Sequence, residues 1–339
     1  MTTPKTVTRW AQLVEKAHTE GAKAYRDGHT LNPYAGTELH QAWNGGWEEA
    51  QEWARTGDRI PGEDGVYPDI SDHVYHSDRD SLSSTGAKTI LEPGGPALWR
   101  WAPRKESAAF DFGHAAHELV LGKGAGIAVV DADSWRTKDA KAAQDQARAD
   151  GKTPMLRKEF QRAERLADAV LTHPVGALIF ADGQAETSIW ATDPDTGARI
   201  RCRPDWWEGA TFYDLKTTTR VGDFDKTITK WSYHLSAAFY LHTAKCVGLE
   251  VDSFVFVAVD KDEPHLVDVV ELDADSLTIG ADLTRAAIDL WARCHRADMW
   301  PGLPEEPRIT RLPDWVRVAA DNTIARAASV EIPTTRKSA

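Results

Sequence analysis

The sequence predicts an α/β fold of the α+β kind, with a mixed central sheet flanked by helices and a small helical hairpin in front. Three observations carry this reading. Apolar residues recur at helical spacing through Phe160, Ala163, Leu166, Ala167, Val170 and Leu171. The period then drops to two in Glu186–Ala191, Ala198–Asp205 and Thr211–Thr217. A helix over Thr227–Lys245, strands over Ser253–Val259 and Leu266–Leu272, and a long helix over Ser276–Arg296 complete the alternation.

Composition narrows the class. At 339 residues the chain has room for two domains, or one large domain with an appendage. Hydrophobic residues make up 42% and charged residues 27%, the balance of a soluble globular protein. The sequence predicts no membrane span, because no apolar run approaches 18 residues, and no signal peptide, because Met1-Thr2-Thr3-Pro4-Lys5 has no apolar stretch behind it; a cytoplasmic location is expected. Cys202, Cys246 and Cys294 are odd in number and far apart, which suits a reducing compartment and excludes any four-cysteine cluster. A net charge of -12 argues against a protein that coats nucleic acid by bulk attraction. Locally the balance reverses: Arg201, Arg203, Lys216, Arg220, Lys226 and Lys230 face five acids within residues 201–230.

In chain order, residues 1–55 read as two helices around the break Asn32-Pro33-Tyr34, with Trp10, Leu13, Val14 and Ala17 before it and Trp43, Trp47 and Trp53 after it. Through Ala17-His18, Gly21, Pro33-Tyr34 and Trp43-Asn44-Gly45-Gly46-Trp47 this segment resembles ribosome modulation factor, although it is acidic where that family is basic. Residues 56–71 are rich in Gly, Asp and Pro and read as a linker. A main domain is expected over 72–315 and a flexible tail over 316–339. Inside the domain, Ser83-Ser84-Thr85 caps a short helix that Pro93-Gly94-Gly95-Pro96 stops. The helix Phe110–Leu121 sets His114 beside His117 and Glu118. Residues 132–150 read as an exposed helix or mobile insertion, and Glu186–Thr217 as a three-stranded antiparallel meander.

The chemistry gathers on that meander. Asp205 ends one strand, and Asp214 and Lys216 share a face of the next, about 7 Å apart at strand spacing. Two carboxylates and an ammonium on one hairpin point to a divalent-metal site for phosphodiester hydrolysis. The competing reading is a surface ladder of ion pairs among Arg203, Asp205, Asp214 and Lys216, with no chemistry.

The ordered set decides between them. Ser83-Ser84-Thr85-Gly86-Ala87-Lys88, Gly113-His114-Ala115-Ala116-His117-Glu118-Leu119, Thr172-His173-Pro174, Glu186, Arg203-Pro204-Asp205, Asp214-Leu215-Lys216-Thr217 and Ala237-Ala238-Phe239-Tyr240 occur in the order of the PD-(D/E)xK nuclease superfamily. Between Tyr75 and Trp315 the chain most resembles the phage and prophage exodeoxyribonuclease VIII (RecE-type) branch. The resemblance implies a restriction-endonuclease-like core and an exonuclease that degrades linear double-stranded DNA, 5′ to 3′, for phage-type recombination. It implies Asp205, Asp214, Lys216 and Glu186 as catalytic residues. His117, Asp205, Asp214 and the Leu215 carbonyl would hold Mg2+, or Mn2+. Expected partners are DNA, a single-strand annealing recombinase and further copies of the chain in a homo-oligomer; no membrane is expected.

Arg201, Arg203, Arg220, Lys226 and Lys230, with Ser236 and Tyr240, are the expected DNA contacts. Ser236 stands where the family commonly has Gln in Gln-x-x-x-Tyr, and serine lacks an amide's reach. Trp206 and Trp207 read either as packing or as a wedge at a DNA end. An endonuclease of the same fold and a noncatalytic or weakly active DNA-binding module are the alternatives. A cysteine-ligated [4Fe–4S] relative is excluded by the cysteine count.

Overall fold

A computed structural model of the chain describes residues 59–68, 70–102 and 108–330, and before them residues 13, 14, 16–18, 20, 21, 24, 30–45, 47 and 48. The chain divides into two compact units, residues 1–302 and 303–339. After its helical N-terminal segment the first unit runs through β1 (Gly65–Tyr67), α1 (Asp72–Ser77), β2 (Leu82–Ser83), α2 (Ser84–Ile90), α3 (Gly95–Trp101), α4 (Ala108–Leu121), β3 (Ile127–Val130), α5 (Lys138–Ala149), β4 (Thr153–Leu156), α6 (Arg157–Thr172) and α7 (Gly176–Ile179). It continues with β5 (Gln184–Ala185), β6 (Ser188–Thr192), β7 (Arg199–Cys202), β8 (Trp206–Glu208), β9 (Thr211–Thr218), α8 (Phe224–Lys230), α9 (Tyr233–Cys246), β10 (Ser253–Asp260), β11 (Val267–Glu271) and α10 (Ala274–Ala297). The second unit contains α11 (Asp314–Ala328).

Strand β9 is the centre of a five-stranded mixed sheet, ordered β11-β10-β9-β8-β5. It runs parallel to β10, with Asp214 opposite Phe256 and Lys216 opposite Ala258. Alternation sends its residues to two different cores. Leu215 packs with Val257, Ala115, Ala116, Leu166 and Val170, under α4 and α6. Phe212 packs with Phe224, Ala237, Phe256 and Ala258, under α8 and α9. Helices therefore cover both faces of the sheet, as a parallel pair buried on both sides requires. A third cluster, with Leu82, Ile90, Ile200, Phe239, Ile288 and Trp291, joins α2, α9 and α10 to a four-stranded sheet ordered β1-β6-β7-β2.

The helix starts follow local chemistry. Ser71, Ser83 and Asp273 cap α1, α2 and α10 by accepting from Val74, Gly86 and Ser276 N–H groups. Gly280 lets α10 lie directly on α9, since a Cβ there would stand 2.2 Å from the His234 carbonyl oxygen. Gly280→Ala is expected to lower stability by about 1–3 kcal/mol by forcing two packed helices apart. Urea unfolding of the variant measures this, and an unchanged midpoint would contradict the close approach.

Four sequence expectations change in the structure. The expected meander is two hairpins in separate sheets: β6 pairs β7, and β8 pairs β9. Pro204 has no N–H with which to extend the β7 ladder, so the chain changes sheets there. The expected helix over Thr227–Lys245 is broken into α8 and α9 at Trp231-Ser232, where Ser232 takes φ 49°. The expected linker over 56–71 contributes β1, which pairs β6, and its Pro61, Gly62 and Glu63 carbonyls accept from Arg199. The expected tail over 316–339 begins inside α11, and residues 331–339 lie outside the described residues.

In the N-terminal segment the described residues form a small helical cluster, in which Ala17, Leu39 and Trp43 are buried against Val14, Tyr34 and Trp47. The expected contributions of Trp10 and Trp53 lie outside the described residues. Among the described residues no helix is long and apolar enough to cross a membrane.

Candidate active site

The site grows from the switch between sheets. Leaving β7 at Pro204, the chain turns Asp205 toward β9, where its Oδ2 accepts from the Leu215 N–H at 2.7 Å. One residue either side of Leu215, Asp214 and Lys216 share the opposite face of the strand, and the Lys216 ammonium contacts the Asp214 carboxylate directly. From α4, His117 places Nδ1 3.6 Å from Asp205 Oδ2, and the Leu215 backbone lies beside the same imidazole. Glu186 joins through the backbone: its N–H donates to the Asp205 carbonyl at 3.0 Å, and it takes the left-handed φ of 46°. Such a conformation is strained for glutamate and is held only because neighbouring structure fixes it.

Burial without full compensation sets the electrostatics. Burial, reinforced by the Asp205 charge, pushes the Asp214 carboxyl up to about 6, and burial also raises Asp205. Burial works against the Lys216 ammonium, but the Asp214 and Asp205 carboxylates hold it above its usual range. His117 is brought down to about 4 by burial and by the nearby Lys216 charge, so its imidazole is neutral at pH 7 with a lone pair to offer. Burial and the Asp205 charge push Glu186 up to about 7.

These donors fit a hard divalent cation. The Asp205 and Asp214 carboxylates, a strand carbonyl and one neutral imidazole form an oxygen-rich set, and burial is the main reason that both carboxyls are raised. A tighter group, Asp193, His242 and Cys246, has its donor atoms within 4.8 Å of one another. It is structural instead: Asp193 already accepts from Arg285 at 2.8 and 3.0 Å, from Thr196 and from His242. Burial also pushes the Cys246 thiol up to about 11, far from a ligating thiolate.

Three further residues reach the site that sequence reasoning did not assign to it. The Tyr233 ring lies with its centroid 5.5 Å from Lys216 Nζ and 5.2 Å from Lys88 Nζ, so two ammoniums share one aromatic face environment. Lys88, the last residue of the Ser-Ser-Thr-Gly-Ala-Lys element, is lowered to about 8 by burial and by Lys216. Asp72 stands 3.2 Å from His76 and 3.5 Å from Arg203; burial raises its carboxyl, but these neighbours and His114 hold it at about 2. The only sequence signal for Lys88 was its motif, and for Tyr233 its place on the helix after the lysine strand.

Residues 97–313 match the family described as PDDEXK-like domain of unknown function (DUF3799), a span that contains His117, Glu186, Asp205, Asp214 and Lys216. The chain belongs to that family. Among solved structures, this PDDEXK-like domain is similar to a protein from Eubacterium rectale named as an exonuclease, with a TM-score of 0.52 and 14% identity over 72% of this chain and 95% of that one. At that identity the likeness establishes the fold. A phage-related exonuclease from Haemophilus somnus 129PT aligns at TM-score 0.30 and 10% identity, over 64% of this chain and 96% of that one, and carries no weight here. No curated protein matches the chain.

The expected DNA contacts of the PDDEXK-like domain divide sharply. Arg201 and Arg203 are corrected to internal residues, 4% and 9% exposed, because both guanidiniums are spent inside the protein. Arg201 donates to the Ser81 carbonyl and hydroxyl at 2.6 Å, Arg203 to Ser188 at 2.7 Å and the Ile70 carbonyl at 2.9 Å, and both lie over the Tyr75 ring. Arg220, Lys226 and Lys230 are exposed, the first two around Asp223. Ser236 is buried, and Tyr240 packs edge-on against Phe254 in the core. Trp206 is buried beside Phe180, and Trp207 donates to the Gly209 carbonyl, so the tandem pair packs the β8 end of the sheet. His114 is exposed, while Glu118 accepts from the Gly126 N–H.

Proposed function

We propose that this PDDEXK-like domain is a metal-dependent nuclease that hydrolyses DNA phosphodiester bonds, and more finely an exonuclease acting on linear double-stranded DNA. The observation that carries the reading is the convergence of Asp205, Asp214, Lys216 and a neutral His117 around the Leu215 backbone at the middle of the sheet. In this reading Asp205, Asp214, the Leu215 carbonyl and His117 hold Mg2+ or Mn2+, with Glu186 as a further oxygen donor beside Asp205. A bound divalent ion supplies phosphate charge neutralisation and acidification of water. Lys216, protonated at neutral pH, stabilises negative charge growing on the phosphate oxygens and serves as an electrostatic group rather than as a base. The Leu215 N–H fixes the Asp205 carboxylate and so its orientation toward the phosphate.

The 5′-to-3′ polarity, a role in phage-type recombination with a single-strand annealing partner, and a homo-oligomeric assembly belong to the same proposal and rest on the resemblance of the motif set. So does a cytoplasmic location. The resemblance of the N-terminal segment to ribosome modulation factor remains a proposal on its Trp-x-Gly-Gly-Trp element.

Digestion of linear and covalently closed duplexes with and without magnesium tests the reading. Magnesium-dependent loss of linear DNA with closed circles intact is the expected result. Cutting of closed circles would replace the exonuclease with an endonuclease, and binding without digestion would leave a noncatalytic module.

A further inference from the structure

We propose that Trp231 is a stacking platform for an unpaired base of a nucleic-acid strand entering the acid cluster, with Lys88 and Lys230 as the cations that flank it. This deepens the nuclease reading and rests on it for the identity of the ligand.

The argument begins with the broken helix. Nothing in the run from Thr227 to Lys245 demands a break, yet α8 stops at Lys230 and α9 restarts at Tyr233, with Ser232 in the left-handed region at φ 49°. A non-glycine residue rarely adopts that conformation unless the surrounding structure holds it. At the break Trp231 is 55% exposed, whereas Trp43, Trp190, Trp206 and Trp291 are all under 9%, and among the described residues only Trp315, in the second unit, is a more open tryptophan. The Trp231 carbonyl faces α2, where Lys88 Nζ donates to it at 3.2 Å. Lys230 Nζ lies 5.2 Å from the Trp231 ring centroid.

These groups adjoin the reacting centre. The ammonium that holds the Trp231 carbonyl is the one 5.2 Å from the Tyr233 centroid, and Lys216 faces that ring at 5.5 Å. Asp205, Asp214 and Glu186 alone repel a phosphate backbone, so a strand needs cations and a neutral contact at the approach. An exposed Trp231, with Lys230 over its ring and Lys88 on its backbone carbonyl, supplies both. Aromatic stacking on bases is sequence-tolerant and adds to backbone attraction by ammonium groups. Bases in an intact duplex are already stacked on one another, so the occupant is an unpaired or frayed nucleotide.

The test uses the full-length protein and DNA oligonucleotides carrying 2-aminopurine at an unpaired strand end. In metal-free buffer with EDTA, wild type is expected to quench the probe on binding. Trp231→Ala should lose that quench and bind about tenfold or more weakly, and Trp231→Phe should recover most of both. Lys88→Gln should keep the quench but reduce the dependence of affinity on salt by about one counterion. With magnesium, Trp231→Ala should raise KM on tailed duplexes while kcat changes little. Because the side chain is exposed, folding of the variant is checked simply by its unchanged thermal midpoint. Unchanged quench and affinity in Trp231→Ala would overturn the stacking role even if wild type digests DNA. Stacking without any digestion would overturn the nuclease reading and leave this inference standing. A wild type that neither binds nor quenches the probe removes both.

Discussion

Asp205→Ala and Asp214→Ala are each expected to reduce magnesium-dependent DNA digestion by a thousandfold or more. The order of magnitude follows from removing a group that organises charge stabilisation in a water-poor site, a loss of roughly 10²–10³ even for one hydrogen-bond donor. Asp205 has two roles, since its carboxylate meets His117 and accepts from the Leu215 N–H; its removal loosens both. Lys216→Ala is expected to fall by about 10²–10³ in kcat with KM nearly unchanged, because its ammonium acts on charge that develops during the reaction. Gel or fluorescence assays of a labelled linear duplex measure all three. Wild-type rates in Asp214→Ala would show that the acid pair is a structural ion-pair ladder. Binding of the same duplex in all three variants separates lost chemistry from lost affinity.

The largest effect on stability is expected at Asp78, outside the reacting centre. Its side chain is 2% exposed and accepts from Trp190 Nε1 at 2.8 Å and from the Ser81 hydroxyl at 2.5 Å, with Arg201 at 3.8 Å, itself 5% exposed. Asp78→Ala leaves a buried guanidinium without its counter-ion and an indole N–H without an acceptor. The expected loss is about 3–5 kcal/mol, which lowers the thermal midpoint on the order of 10 °C. Burial alone would raise the Asp78 carboxyl, but Arg201 and the hydrogen bonds from Ser81 and Trp190 hold it below its usual value. A group depressed in the folded state stabilises the protein above its unfolded pKa and loses that contribution as pH falls through the folded value. Wild type should therefore lose stability on acidification below about pH 4, the ordinary aspartate range, and Asp78→Asn should lose less. A midpoint for Asp78→Ala equal to that of wild type would contradict the buried pair.

The failed expectations share a cause with this network. Arg201 and Arg203 look like solvent-facing cations in sequence, because strand alternation gives them a face separate from Ile200 and Cys202. That face is covered by α1 and by the segment around Ser81, elements far away in the chain, so the guanidiniums finish against Tyr75, Ser81 and the Ile70 carbonyl. Alternation tells which residues share a face and not what will cover it. The merged meander failed similarly: alternation carried one strand through Pro204 to Asp205, and only the placement of β8 against β9 shows that the chain crosses to another sheet.

Sequence by itself determined the elements and the chemical inventory. Hydrophobic periodicity is a local property, and it located β9, β10, β11, α4 and α10 to within a few residues, whereas the helical run expected over Leu156–Ile179 is divided into α6 and α7. The order of His117, Glu186, Asp205, Asp214 and Lys216 in the sequence marks residues that the fold gathers around the Leu215 backbone and Asp205. Only the tertiary structure decided which charges meet. Burial raised Asp214 and neutralised His117, brought Lys88 and Tyr233 to Lys216, and opened the helix at Trp231. The physical reason is that desolvation and Coulomb energy depend on distances between residues separated by tens or hundreds of positions, and those distances exist only once the cores on both faces of the sheet have packed.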